Sequence, residues 1–334
     1  MNRNRAPGPV PENKMRNKAE RHAFTIVELL VVITIIGILM GFLLPALTGA
    51  RRSAKLLEEQ RQVKSIAEGW ATYAASNKFQ KPVPGLVQRL AVNVGGEDRF
   101  IEGRGRENGS LNDHGAMLSL CIMERLFDPP TTFSNVENNP EVYAYSNYDY
   151  NVYDPYPSSG EAGVFWDNGF SNNLDGENSG GAGEEDGCNN SYAIIPLGGE
   201  RRRMAWDNQA GSSFALLGTR GVEDGDEANI KESNSVEFFG NSGQWRGIVA
   251  YADGHVDTTE NFWPVSAQYE EIIDGERSYL ADNIYAAQAE AAGSWNGDKM
   301  LLGRDSFLTH VNVVEQHPDS PTNPRDITYV PITD

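Results

Sequence analysis

The sequence predicts an α+β protein in which a long N-terminal helix packs on an antiparallel β-sheet head with long loop insertions. Three observations support this fold class. An apolar run of 24 residues extends from Phe24 to Leu47. Apolar residues then recur at three- and four-residue spacing between residues 63 and 74, as on one face of a helix. Finally, Asp253-Gly254 lies between alternating apolar residues, which is a strong hairpin signal.

The apolar run (residues 24–47) is long enough to be a transmembrane helix. At a rise of 1.5 Å per residue it extends about 36 Å, whereas the hydrocarbon core of a bilayer is about 30 Å thick. The apolar core of a secretory signal peptide has only about 7 to 15 residues. A basic leader with a net charge of +4, residues 1–23, precedes the run. Because Arg51 and Arg52 make the other flank basic too, the charge rule only weakly favours a cytoplasmic N-terminus.

Glu28 is an ionisable residue near one end of this apolar run. A carboxylate inside a membrane is costly, so its presence there indicates a functional role. The alternative is that Glu28 lies at the interface and extends its carboxylate into water.

The helical pattern continues beyond the membrane as an amphipathic stem over residues 48–81. Its apolar stripe consists of Val63, Ile66, Ala67, Trp70, Tyr73 and Ala74. We expect charged residues to cover the rest of its surface, namely Arg51, Arg52, Lys55, Glu58, Glu59, Arg61 and Lys64. Pro82 and Pro84 predict the end of the stem.

The junction Ala23-Phe24-Thr25-Ile26-Val27-Glu28 resembles the class III prepilin signal of type IV pilins and type II secretion pseudopilins. The resemblance covers roughly residues 16–75. It implies cleavage between Ala23 and Phe24 by a prepilin peptidase, which also N-methylates Phe24. Thr25 matches the common second residue of the mature chain, Glu28 its fifth residue, and Pro45 a frequent helix-bending proline. Ala23 departs from the family, which usually has glycine before the cut.

The same resemblance implies that the chain assembles into a filament through its N-terminal helix. Glu28 would then pair with the Phe24 amino group of a neighbouring subunit, and the cost of leaving either charge unpaired would set the register of the helices. Gly37 and Gly41 form a Gly-x-x-x-Gly pair that permits close helix approach, although small residues also occur incidentally in spans. The implied partners are the peptidase, other pilin or pseudopilin subunits, an inner-membrane assembly platform and the lipid bilayer. The N-terminus would be cytoplasmic and the head periplasmic or extracellular.

Residues 82–334 form an acidic head. Without its leader the chain would have a formal net charge of −23, compared with −19 for the full sequence. This balance argues against nucleic-acid binding and suits an exported surface. Residues 131–190 are rich in Asn, Gly, Asp, Ser and Tyr and predict a loop-rich insertion. Its tyrosines could line a surface or an edge strand: Tyr143, Tyr145, Tyr148, Tyr150 and Tyr153.

Short strands are predicted in the second half of the head, over 191–196, 213–217, 236–239 and 247–258. The last contains the Asp253-Gly254 hairpin, which resembles a hairpin of large pilin-like proteins. Those proteins often have a histidine ten residues before the aspartate, where this chain has Gly243. A late helix over 282–292, capped by Asp282, is also predicted.

The candidate chemical sites in the head are weak. Cys121 and Cys188 would lie in an oxidising compartment that allows a disulfide, but the sequence does not show that they are close. Two acidic loops offer oxygen ligands for calcium without EF-hand spacing. They contain Asp167, Asn172, Asp175 and Glu177, and Glu223, Asp224, Asp226 and Glu227. Three consecutive arginines at 201–203 predict a salt-bridging surface patch.

Nothing in the sequence requires an enzyme. Asp253, His255 and Asp257 would share a face of a straight strand and could form a metal or acid/base set, but we favour a turn aspartate and two solvent-facing polar residues. The motifs of serine hydrolases, zinc proteases, redox dithiols and phosphate loops are absent from the sequence. We therefore expect a structural filament subunit with no cofactor.

Two other interpretations remain open. One is a single-pass membrane-anchored binding protein or enzyme that keeps its leader. The other is a secreted protein that is cut after the span, near Thr48-Gly49-Ala50. The first residue of the mature chain separates the three hypotheses, since they predict Phe24, Met1 and Arg51 respectively.

Overall fold

The structure is a computed structural model, and it confirms the α+β class. The residues that it describes are 25–157, 161–174, 187–206, 210–222, 225–231, 233, 239, 244–287, 303, 305–316 and 327–332. The chain divides into two compact units, Met1–Arg51 and Arg52–Asp334.

The longest element is helix α1, Ile26–Ser76, with 51 residues. The helix continues through Pro45, whose carbonyl accepts a 2.8 Å hydrogen bond from the Thr48 hydroxyl. It ends close to the predicted position, and the two residues Lys78 and Phe79 have positive φ angles of 56° and 65° that turn the chain away from the helix.

The described residues of the head form three further α-helices and ten strands. The helices are α2 (Pro84–Val87), α3 (His114–Met123) and α4 (Gly199–Ala205). The strands are β1 (Val92–Val94), β2 (Glu97–Arg99), β3 (Tyr192–Ile194), β4 (Ala215–Thr219), β5 (Gly247–Tyr251), β6 (Val256–Thr259), β7 (Gln268–Ile273), β8 (Glu276–Ala281), β9 (His310–Gln316) and β10 (Ile327–Ile332).

The central sheet is antiparallel, with strand order β3-β4-β5-β6. The remaining strands pair as two-stranded antiparallel sheets, β1-β2, β7-β8 and β9-β10. Three predicted strands coincide with β3, β4 and the β5-β6 hairpin, whereas residues 236–238 of the fourth lie outside the described residues. The predicted hairpin turn is confirmed: Gly254 has a φ angle of 89°, and Val249 pairs with Asp257.

The predicted stripe of the stem is buried against this sheet, as its spacing requires. Val63, Ile66 and Trp70 are fully buried in one hydrophobic cluster with the side chains of β3, β4 and β5. The Trp70 ring packs on Trp206, with ring centroids 4.8 Å apart. Burying a large aromatic ring contributes several kcal/mol, about 3 to 5 on truncation to alanine, so this stripe fixes the head on the stem.

Helix α3 was not predicted from the sequence. Asp113 caps it, because its side chain accepts a 2.7 Å hydrogen bond from the Ala116 amide. Every residue from His114 to Ile122 is buried. A helix that is apolar all round shows no amphipathic period, which explains why the pattern was missed.

The loop-rich insertion is confirmed in the part that the structure describes, where residues 131–190 contribute short 3-10 turns and isolated bridges. The predicted edge strand of tyrosines is wrong. Tyr145 packs edge-on against Tyr148 and Phe170, at 6.2 and 5.7 Å between centroids, so these rings form an aromatic cluster inside the loops.

The late helix predicted to start at Asp282 is also wrong for its described part, because residues 282–287 have no helical structure. Instead of capping a helix, the Asp282 carboxylate accepts a 2.6 Å hydrogen bond from the amide of Ser306. A tertiary contact to a distant segment thus replaces the local cap. Residues 288–292 lie outside the described residues.

Candidate processing and assembly site

The N-terminus of α1 is closed by reciprocal hydrogen bonds between Thr25 and Glu28. The Thr25 amide and hydroxyl each donate to Oε2 of Glu28 at 2.9 Å, and the Glu28 amide donates to the Thr25 hydroxyl at 3.2 Å. This is a capping box, in which the residues at the N-cap and N3 positions satisfy each other's free amides. The sequence carries the signal for this cap, Thr-x-x-Glu before an apolar run, which the predictions above left unused.

The capping box leaves one oxygen of Glu28 available. Within the part of the chain that the structure describes, the hydrogen bonds of this carboxylate reach Oε2, and none reaches Oε1. Ala23 and Phe24, the predicted cleavage and methylation residues, lie outside the described residues. The structure therefore shows the Glu28 carboxylate and the start of α1, which form one side of the predicted contact with Phe24 of a neighbouring subunit.

The apolar side chains of α1 are unburied over the whole run. Those from Ile26 to Leu47 are between 44 and 85% exposed. In the described part of the chain, α1 is the one helix that is long and apolar enough to cross a membrane. Gly37 and Gly41 have no neighbouring atom within 4 Å of an added Cβ, so both leave an open surface for a partner helix.

A second site, at the junction of stem and head, was missed. Glu59 was expected on the charged surface of the stem, but this was wrong because the residue is only 1% exposed. Its Oε1 accepts from the Ser134 hydroxyl at 2.6 Å and the Asn135 amide at 3.1 Å. Its Oε2 accepts from the Tyr192 hydroxyl at 2.7 Å.

These bonds join the stem to a loop and to the central sheet. Loss of hydration raises the pKa of Glu59 above its ordinary value, although the three hydrogen bonds oppose this change. The sequence signal for burial was faint, since Glu59 lies four residues before the buried Val63 on the same helix face.

The acidic and imidazole residues of the hairpin are only partly brought together. Nδ1 of His255 lies 2.5 Å from a carboxylate oxygen of Asp253, and the imidazole stacks on the Tyr251 ring at 4.2 Å between centroids. Partial burial acts to raise the pKa of Asp253, but the hydrogen bonds from the His255 amide and ring outweigh it and lower that pKa below its ordinary value. Asp257 lies on β6, where it is exposed. The contacts stabilise the turn.

The disulfide that the sequence allowed is not formed. Cys121 and Cys188 are both fully buried, in two different hydrophobic clusters. The Cys121 thiol contacts the sulfur of Met117 at 4.0 Å. The Cys188 thiol donates to the Asn190 carbonyl at 3.1 Å.

Asp167, a calcium candidate, organises the aromatic loops through its own hydrogen bonds. Its carboxylate accepts from the Tyr145 hydroxyl at 3.1 Å and from the amides of Asp149 and Gly169, both at 2.9 Å. Among the described residues, no group of three His, Cys, Asp or Glu side chains is arranged to hold a metal ion. The other calcium candidates divide between two sets. Asp175, Glu177, Glu223 and Asp224 lie outside the described residues, whereas Asn172, Asp226 and Glu227 lie within them.

Arg201 and Arg202 form ion pairs as expected, but Arg201 is not on the surface. Arg201 is fully buried and its guanidinium lies 2.5 Å from a carboxylate oxygen of Asp305. Arg202 pairs with Glu107. The first pair thus ties α4 to the segment before β9.

Comparisons with known proteins bear on the N-terminal segment. The structure defines a chain whose N-terminal apolar helix is able to span a membrane and begins at a Thr-Glu capping box. Residues 18–44 match the family model described as the prokaryotic N-terminal methylation motif. The match includes Ala23, Phe24 and Glu28 and is consistent with a type IV pilin-like or pseudopilin-type precursor. Searches of curated proteins and of solved structures gave no match.

Proposed function

We propose that this chain is the precursor of a structural subunit of a type IV pilus-like or type II secretion pseudopilus filament. A prepilin peptidase cuts between Ala23 and Phe24 and methylates the new amino group. The mature subunit is held in the inner membrane by α1, with its head on the periplasmic or extracellular side, and has no catalytic role of its own. The methylation motif over residues 18–44 is the observation that carries this proposal.

The geometry of Glu28 supports the assembly step. Its Oε2 closes the helix of its own chain, while Oε1 remains for a donor from outside the described chain. In a bundle of apolar helices, the amino group of Phe24 from a neighbouring subunit supplies such a donor. An open, head-to-tail arrangement of identical subunits forms a filament, and pairing one carboxylate with one ammonium fixes the register at each step.

The open surface of α1 supports the same step. The apolar side chains of residues 26–47 have no partner in the described chain, and their exposure in water would be costly. A lipid bilayer or the helices of neighbouring subunits remove this surface from water. The proposed subunit occupies both environments, because it lies first in a membrane and then in a filament.

Processing is tested by N-terminal sequencing after co-expression with a prepilin peptidase. We expect the mature chain to start at Phe24, with a methylated amino group seen by mass spectrometry. A bulky residue in Ala23→Ile should block the cut, whereas Ala23→Gly should preserve it. A mature chain that starts at Met1 or Arg51 contradicts the proposal.

Assembly is tested by variants that separate the charge of Glu28 from its capping role. Glu28→Gln keeps an oxygen at N3 that can close the capping box but removes the charge. We expect this variant to insert into the membrane normally. Its incorporation into sheared filaments should fall by at least about tenfold. Thr25→Ala removes the cap, at a cost of about 1 kcal/mol, but keeps the charge and should still assemble.

Glu28→Val removes both functions and should abolish or misorder assembly while leaving membrane insertion intact. If Glu28→Gln and Glu28→Val incorporate as well as the unmodified chain, the carboxylate does not set the register. If only Thr25→Ala and Glu28→Val fail, the helix cap rather than the charge pair carries assembly.

A further inference from the structure

The head contains a cavity that the filament role does not use. It has a volume of about 400 Å³, within the range of about 300 to 1,000 Å³ that is usual for small-molecule sites. It lies where the start of the second unit meets β5 and β6. The described residues that line it are Arg52, Ser53, Lys55, Leu56, Phe239, Gln244, Trp245, Arg246, Glu260 and Asn261.

The lining of this cavity is cationic, although the protein is acidic. Among the described lining residues, three are cationic (Arg52, Lys55 and Arg246) and one is a carboxylate (Glu260), a formal charge of +2 in a chain whose formal net charge is −19. Arg246 and Glu260 form an ion pair in which both side chains are largely exposed, 40 and 70%. Such a pair contributes little to stability, so a stronger anion can replace Glu260 as the partner of Arg246.

The floor of the cavity is rigid. Trp245 is 2% exposed, and its indole N–H donates a 3.1 Å hydrogen bond to the Arg220 carbonyl. The Trp245 ring packs against Phe262 and Tyr285, with centroids 5.0 and 5.5 Å apart. Gly247 leaves room for the ring, since an added Cβ would lie 2.3 Å from it. An aromatic floor beneath cationic walls is therefore formed before any ligand arrives.

The position of the basic residues along the chain indicates where the anion comes from. Arg52 follows Leu47, the last residue of the apolar run, by five residues. Even a fully extended backbone keeps the two α-carbons within about 18 Å. Lipid headgroups occupy the first several Å beyond the hydrocarbon core. Because α1 is helical through this segment, Arg52 and Lys55 lie about 7.5 and 12 Å along the helix beyond Leu47, from where their long side chains can reach back to phosphodiester groups at the membrane surface.

We infer that this cavity binds the headgroup of an anionic phospholipid, with its phosphodiester held by Lys55, Arg52 and Arg246 and its polar head over Trp245. The inference rests on the proposed function only in that the apolar run must lie in a membrane. A bound lipid would fix the depth of the head above the bilayer before the subunit enters a filament.

Native mass spectrometry of the full chain in nonionic detergent micelles tests this inference with short-chain phosphatidylglycerol, phosphatidylcholine and inorganic phosphate. Phosphatidylglycerol should bind at least about tenfold more tightly than either other probe. The double variant Lys55→Gln with Arg246→Gln should weaken phosphatidylglycerol binding by about 30-fold. Each removed positive charge near a membrane surface accounts for about fivefold. The matched control is Arg61→Gln with Lys64→Gln, which removes the same charge from an exposed part of the stem outside the cavity and should change affinity by less than about threefold.

Glu260→Gln provides a test that loss of folding cannot imitate. It releases Arg246 from its ion pair, so phosphatidylglycerol should bind about fivefold more tightly. Any of three results would overturn the inference. The first is that the control pair weakens lipid binding as much as the cavity pair does. The others are that Glu260→Gln fails to strengthen lipid binding, or that inorganic phosphate binds as tightly as the lipid.

A lipid-independent dimer that the cavity variant abolishes would also overturn the inference, because it would identify an acidic protein partner instead. The result of this lipid-binding test can be distinguished from the result of the test of the proposed filament function. A mature chain starting at Met1 would remove the filament role but keep the apolar run, so the titration would still report on the cavity.

Discussion

Replacing Glu59 by alanine removes the carboxylate that joins stem, loop and sheet. Two of its partners are hydroxyls that have little access to water, since Ser134 is 1% exposed and Tyr192 is fully buried. Among the described residues, the Ser134 hydroxyl donates to Glu59 alone, at 2.6 Å, and without Glu59 the Tyr192 hydroxyl would keep only its 3.4 Å hydrogen bond to Gln62. Each buried group left unsatisfied costs about 1 to 3 kcal/mol.

The sum of the two penalties is about 2 to 6 kcal/mol, and loss of the Asn135 amide bond adds to it. Alanine also relieves the cost of keeping a carboxylate away from water, which acts in the opposite direction. We therefore expect a net loss of about 2 to 4 kcal/mol in the free energy of unfolding. For a head of this size, that corresponds to a fall in melting temperature of about 4 to 16 °C.

Thermal unfolding of the full chain in detergent, followed by near-ultraviolet circular dichroism, measures this change. Glu68→Ala is the matched control, because Glu68 lies on the same helix but is exposed and pairs only with Lys64 at 3.6 Å. Its expected shift is below about 2 °C, as for other surface ion pairs. Equal melting temperatures for Glu59→Ala and Glu68→Ala would refute the argument that the buried network fastens the head to the stem.

Three further outcomes are expected. Burial raises the pKa of Asp282 from 3.8 to about 7, so its folded form holds a proton that the unfolded chain has lost, and stability should fall as pH rises from about 4 to 7. Asp282→Asn should lessen this fall in denaturant titrations at pH 4 and 8, while Asp113, whose pKa burial also raises to about 7, keeps its own share; an unchanged pH dependence in the variant would contradict the prediction. Cys121 and Cys188 should be inaccessible to a thiol reagent in the native chain, and two thiols should react after unfolding without reductant; none after unfolding would indicate a disulfide. Gly247→Ala should destabilise the head by about 1 to 3 kcal/mol through its clash with Trp245, and an unchanged denaturation midpoint would show that the ring has room to move.

The elements that the sequence predicted well are those whose signal is local. The length of the apolar run and the spacing of Val63, Ile66 and Trp70 directly predict an extended helix with one buried face. Asp253-Gly254 predicts a hairpin because a glycine with positive φ is required there. Glu28 is conspicuous for a similar reason, since a charge in an apolar run needs an explanation whatever surrounds it.

The elements that were missed depend on partners far away in the sequence. Glu58 and Glu59 are adjacent and identical in chemistry, yet Glu59 is buried against Ser134 and Tyr192, whereas Glu58 stays exposed and accepts from the Asn135 side chain. Arg201 is buried because Asp305, more than a hundred residues later, supplies its carboxylate. For Glu59 the local signal is faint, namely its place four residues before Val63, and for Arg201 the run of three arginines predicts the opposite of burial.

The sequence by itself therefore determined the membrane-length helix, the methylation motif at its start, the buried stripe of the stem and the Asp-Gly hairpin. Each depends on residue type and spacing within a few turns of chain. Only the tertiary structure decided that Thr25 and Glu28 close the helix together, that both cysteines are separate buried thiols, and that Glu59 is an internal anchor. It also decided that Lys55 and Arg246 share one cavity. Burial and pairing across long sequence separations arise from packing, and packing exists only once the chain has folded.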